Sequence, residues 1–178
     1  MRRFAAGLMV FAFSASPALA RDGGPNAAPS EASVAMVTSC INAAAAAHRL
    51  PPGVLVILLN VEGGKLGRVS QNTNDTVDIG PMQVNQIWIP AVARHWRASQ
   101  AATRNALLNN FFANVEAGAW ILRTGIDEAH GDFWEGVGYY HSHSTQHKTT
   151  YLRLVLRQAL RLQSVAARSA EPRPMWGG

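Results

Sequence analysis

The chain has 178 residues, 48% of them hydrophobic and 15% charged, with 16 basic residues against 11 acidic ones and a single cysteine. A chain of this size buries about two thirds of its unfolded surface, enough for one independent core. One cysteine excludes an internal disulfide, and the positive balance has no basic run or interleaved aromatic platform, which argues against a nucleic-acid partner.

In chain order, residues 1–20 read as an export leader. Arg2 and Arg3 precede the apolar stretch Phe4 to Phe13, and Ala18-Leu19-Ala20 is a small-x-small cleavage pattern. The apolar stretch is too short for a stable bilayer anchor. No cysteine follows the cleavage pattern directly, so the expected product is a periplasmic or secreted protein without a membrane anchor. Residues 21–32, rich in Gly, Pro, Ala and Ser, are expected to form a flexible N-terminus. The domain is expected over 33–166, followed by a disordered tail over 167–178.

From Ser33 to Leu50, Val34, Val37, Ile41, Ala44 and Ala45 recur at helical spacing. Cys40 lies in the same segment and reads as a buried small hydrophobe. Pro51-Pro52 separates this helix from a second, Val54 to Val61, apolar enough to be buried on all sides. Gly63-Gly64 terminates it. Lys65 to Ile79 has no apolar periodicity and reads as a long functional loop. A helix is expected over Met82 to Trp96, interrupted at Pro90, then helices over Ala101 to Asn110 and Phe112 to Asp127. The latter turns Val115, Ala119, Ile121 and Leu122 inward. Phe133 to Tyr140 and Thr149 to Ala166 complete the set. Leu152, Val155, Leu156 and Leu162 line the apolar side of the last helix, away from Arg153, Arg157 and Arg161. With no convincing strand and no repeat, the sequence predicts one all-α domain.

Chemistry concentrates around Glu62, a carboxylate at the end of the most apolar helix. Desolvation there raises its pKa, and the helix dipole disfavours a negative charge at a C-terminus. A carboxyl that holds its proton at neutral pH is the acid that glycosidic-bond cleavage needs. Downstream, Asn72 to Asn85 packs amides and carboxylates around Gly80-Pro81. Amides at such a turn suit hydrogen bonding to sugar N-acetyl and hydroxyl groups, and Gly80 would let backbone approach a ligand closely. Asp78 reads mainly as a loop-ordering cap before Gly80.

Glu62 followed by a polar loop and by Asp78-Ile79-Gly80-Pro81-Met82-Gln83-Val84-Asn85 resembles the Glu-Ser and Gly-Leu-Met-Gln motifs of the soluble lytic transglycosylases. The run through Pro90 is most similar to the small members that accompany type III and type IV secretion, conjugation and pilus systems. Gly138-Tyr139-Tyr140-His141-Ser142 falls where that family has its third motif, Ala-Tyr-Asn. The resemblance covers about Cys40 to Gln158. It implies a lysozyme-like helical fold with a substrate cleft, peptidoglycan glycan strands as the partner, and cleavage of the MurNAc-GlcNAc β-1,4 bond with a 1,6-anhydro product and no cofactor. Glu62 would be the catalytic acid and base. Gln83, Met82 and Tyr140 match substrate-binding or cleft positions, and Asp78, Gly80, Asn85 and His141 lie within the motifs. Gly63 stands where the family has serine, and His141 where it has asparagine.

Two rival readings stay open at this level. A non-catalytic glycan-binding or secretion-scaffold protein could keep the cleft, and a hydrolytic muramidase could use the same acid. His141, His143 and His147 stand at spacings that a metal site can use, but no fourth ligand follows at matching spacing. Trp88, Trp96, Trp120 and Trp134 mostly sit at core spacing.

Overall fold

In a computed structural model the described residues are 31–170. The expected leader 1–20, nearly all of the segment 21–32, and positions 171–178 of the tail lie outside them. The described chain is mostly helical, with seven α-helices and one small sheet.

Helix α1 spans Glu31–Ala47 and α2 spans Pro52–Glu62. Pro51 occupies the N-cap of α2 with Pro52 at its first position, where a missing N–H costs nothing. In α1 only the C-terminal half faces the core: Ile41, Ala44 and Ala45 are buried, whereas Val34 and Val37 are exposed. Cys40 is half-buried, short of the full burial expected. Helix α2 buries Val54, Leu55 and Leu58 but leaves Asn60 exposed, so it has a solvent edge and is not enclosed on all sides.

The expectation of no strands fails between residues 69 and 85. Strands β1 (Val69–Gln71), β2 (Val77–Ile79) and β3 (Val84–Asn85) form an antiparallel sheet in that order. Ser70 lies opposite Asp78, and Asp78 opposite Asn85. Strands of two or three residues are too short to display the alternation by which strands are read. The helix expected from Met82 is replaced by β3, a 3₁₀ turn Gln86–Trp88 and α3 (Ile89–Trp96). Pro90 falls in the first turn of α3 and starts that helix. Pro81 sits in the β2–β3 turn and not at a helix start.

The remaining helices follow their caps. Ser99 accepts from the Ala102 N–H to open α4 (Gln100–Asn109), Asn110 from Ala113 to open α5 (Phe111–Glu128), and Asp132 from Glu135 to open α6 (Phe133–His141). Helix α7 runs Thr145–Ala170, past the expected end at 166. Helix α5 is central, packing on α1, α4 and α6, and α2 packs on α7. Val115, Ala119, Ile121 and Leu122 are buried as expected. On α7 the buried side chains are Tyr151 and Val155, with Leu156 exposed. That last contact pair places the end of α2, and hence Glu62, against the first turns of α7.

Candidate active site

Glu62 is the last residue of α2, and Gly63 caps the helix in the left-handed conformation (φ 61°), its N–H donating to the Leu59 carbonyl. A glycine suits that conformation, where a Cβ is disfavoured. The Tyr151 hydroxyl donates to Glu62 Oε1 at 2.6 Å. Burial pushes the Glu62 carboxyl up to about 7, the Tyr151 hydrogen bond pulls it down, and the negative charge of Asp78 pushes it up. Burial and the neighbouring Glu62 charge hold the Tyr151 phenol far above its ordinary value, so it remains a donor.

The turn after Glu62 is pressed onto the β2–β3 turn. A Cβ on Gly64 would lie 2.0 Å from the Gly80 carbonyl oxygen and 2.5 Å from Gln83 Nε2. Gln83 Nε2 donates to that same carbonyl at 2.9 Å. Gly80 is itself left-handed (φ 69°), and a Cβ there would meet Asn114 Nδ2 at 2.4 Å and the Leu107 carbonyl at 2.7 Å. The close approach that Gly80 permits is therefore to α4 and α5, and it lies buried away from the cavity rather than at the expected ligand-facing position.

Asn114, fully buried on α5, is the clasp. Its Nδ2 donates to the Ile79 and Leu107 carbonyls at 2.9 Å each, and its Oδ1 accepts the Met82 N–H at 2.7 Å. Met82 is likewise fully buried, and its side chain lies where a Cβ on Gly118 would be, 2.7 Å from Met82 Cε. Met82 is a core residue, contrary to the expected cleft position; only its carbonyl reaches toward the site, accepting from the Tyr140 hydroxyl at 2.8 Å. Burial raises the Tyr140 phenol well above its usual value, with the charges of Glu62 and Asp78 adding to the effect.

An open cavity of about 810 Å³ lies between the sheet, the end of α2 and α6, within the size range of small-ligand sites. It brings together Glu62, Asp78, Gln83, Asn85, Tyr140 and His141 of the expected residues. Asp78 accepts from Asn72 Nδ2 at 3.0 Å and from Asn85 Nδ2 at 2.8 Å, one on each oxygen. Thr76 Oγ1 accepts from the same two amides and donates to Asn74 Oδ1 at 2.8 Å. Asp78 thus orders the loop, as expected, but by tying β2 to β3 instead of capping the turn before Gly80. The amide donors of Asn72 and Asn85 are committed to Asp78 and Thr76, although both residues still line the cavity.

His141 stacks on Tyr151 with ring centroids 4.6 Å apart and planes within 6°. Burial lowers its pKa, with His147 acting in the same direction and Asp78 opposing. His143 instead stacks on Tyr139 and pairs with Glu128 at 3.0 Å, so His141 and His143 are held by separate partners.

Two residues escaped the sequence reading. Tyr151 precedes Val155 by one helical turn, which would have turned it inward, but it lies 89 residues from the carboxylate it contacts. Asn114 is a polar residue within an apolar helical run, and that placement is the sequence signal by which it can be found. No protein-family model matches the chain, and comparison with curated proteins returns no match either.

Proposed function

We propose that this protein is a peptidoglycan lytic transglycosylase of lysozyme-like fold, with Glu62 as the acid and then the base. The observation that carries the reading is a carboxyl with a pKa near neutrality facing a cavity of glycan-binding size. Raised toward neutrality by burial, the Glu62 carboxyl can hold at neutral pH the proton that the departing glycosidic oxygen must receive. Glu62 donates it as the bond breaks. The resulting carboxylate then removes the proton from the MurNAc 6-hydroxyl, whose oxygen attacks C1 and closes the anhydro ring.

Asp78, the other carboxylate lining the cavity, is held by an amide hydrogen bond on each oxygen, which favours a loop-ordering role over that of a second catalytic carboxylate. The sugar's own N-acetyl and hydroxyl groups supply what a second carboxylate would. Gln83, Asn85, Tyr140 and His141 all line the cavity, so their side chains would shape where the sugars sit. Export to the periplasm, with local wall opening for a secretion, conjugation or pilus machine, is the setting that the motif resemblance suggests.

The test is digestion of purified peptidoglycan sacculi by the protein and by Glu62→Gln, with products identified by mass spectrometry. Anhydro-ended muropeptides, one water lighter than hydrolysed ones and absent with the variant, are expected. Reducing-end products would refute the transglycosylase route. Retention on sacculi without any cleavage would refute the enzyme.

A further inference from the structure

Behind the cavity wall, on the face of α5 turned toward α1 and α3, two imidazoles and a carboxylate converge. His48 Nε2 lies 2.8 Å from Glu116 Oε1, and His95 Nε2 lies 3.4 Å from the same oxygen. All three ligand atoms fall within 4.8 Å of one another. The geometry points to a binding site for one divalent transition-metal ion, Zn²⁺ by its donor chemistry, held by His48, His95 and Glu116.

Three features carry this beyond a chance cluster. First, the spacing suits a shared ion. Donors bound to zinc at about 2.0–2.2 Å stand roughly 3 Å apart, so small rotations would turn these three toward one centre. Second, the donors are oriented by a second layer of contacts. Trp96 Nε1 donates to Glu116 Oε2 at 2.6 Å, which turns Oε1 toward the imidazoles. The His95 ring is stacked on Trp120, centroids 4.7 Å apart and planes 15° apart. Metal-ligating side chains are characteristically fixed by such outer partners. Third, access is graded. The side chains of His48, Glu116 and His95 are 10%, 18% and 34% exposed, so the site is closed inward and open on the His95 side, where water can complete the coordination.

Two histidines and one glutamate with an open position form a known zinc donor set, and imidazole also suits copper and nickel. The three ligands come from the turn after α1, from α3 and from α5. One ion would therefore join three segments that otherwise meet here through side-chain hydrogen bonds to Glu116. It would not enter the proposed reaction. Trp120 meets Trp88 edge-on at 6.1 Å, and Trp88 lines the cavity, so the ion would sit two rings behind the wall. Its role would be to stiffen that wall, and its binding is independent of what the cavity does.

The experiment uses tag-free full chain, stripped with a chelator and then titrated with Zn²⁺ alone against a chromophoric competitor. Tryptophan fluorescence and Tm are read in parallel. One Zn²⁺ per chain is expected, with a change in tryptophan emission and a rise in Tm by mass action. His95→Asn, at the most exposed ligand, should abolish stoichiometric binding. Trp96→Phe should weaken it by about 10- to 100-fold, the usual effect of removing an outer partner. Graded loss in Trp96→Phe keeps the test decisive if His95→Asn folds poorly. The double variant His143→Asn/His147→Asn should bind as wild type does. Absence of Zn²⁺ binding to wild type would overturn the proposal, as would binding that survives His95→Asn and disappears in the His143/His147 variant.

Discussion

Replacing Glu62 by glutamine should stabilise the fold at alkaline pH while removing the proposed activity. The ordinary carboxyl value of 4.5 is raised to about 7 by burial at the end of α2. A shift of roughly 2.5 units at 1.36 kcal/mol per unit corresponds to about 3 kcal/mol of differential stability. Because the folded state holds this proton more tightly than the unfolded chain, the folded form is favoured most in acid. That advantage is lost as pH rises from the unfolded value of 4.5 to the folded value near 7, and the curve is flat above. Glutamine never ionises, and its carbonyl can still accept from the Tyr151 hydroxyl. Urea unfolding of wild type and Glu62→Gln at about pH 5 and pH 8 separates this effect from histidine titration, which both proteins share. The stability advantage of the variant over wild type should widen by about 2–3 kcal/mol between pH 5 and pH 8. An equal gap at both values would refute the claim that a buried carboxylate at this position is the costly group.

Tyr151→Phe removes the hydrogen bond that pulls the Glu62 carboxyl down, so the alkaline limb of the activity profile should move to higher pH; an unmoved or acid-shifted limb in a digestion series would count against the contact. Gly64→Ala should cost far more than Gly63→Ala in thermal unfolding. The first puts a methyl 2.0 Å from the Gly80 carbonyl oxygen, whereas the second meets open space and carries only the left-handed penalty of about 1 kcal/mol. Asn114→Ala should destabilise by about 2–4 kcal/mol, since it leaves a buried N–H and two carbonyls without their partner, and chemical denaturation would read it directly.

The helices were legible in the sequence because each carries enough residues to show its period, whereas the caps Ser99, Asn110 and Asp132 that open three of them emerge from the structure. Glu62 was legible as well, since a lone carboxylate at the end of an apolar helix is conspicuous. What was not legible depends on contacts between distant segments. The sheet strands are too short to alternate, so Lys65 to Ile79 read as loop and Met82 to Asn85 as helix. Tyr151 becomes a partner of Glu62 only when α7 packs on α2. Met82 and Gly80 were assigned to the cleft through a motif, but burial depends on what covers them, and Asn114, Leu107 and Gly118 lie far along the chain. Val34 and Val37 have the right period for a core face, yet among the described residues both are exposed.

The interior position of Met82 and Gly80 changes how variants in the motif should be interpreted. Residues 80–83 form a turn pinned by Asn114 from behind, by Gly64 from the side and by the Tyr140 hydroxyl through the Met82 carbonyl. A substitution at Gly80, Met82 or Gly64 therefore moves the Gln83 side chain and the chain after Glu62 together, and lost activity there reports on folding as much as on chemistry. His141 is different, because it lines the cavity and stacks on the Tyr151 ring whose hydroxyl donates to Glu62. A change at His141 that alters rate without altering stability would report on the cavity itself. The same logic gives Gly63 a conformational reason to be glycine, since a serine there would have to adopt φ 61°.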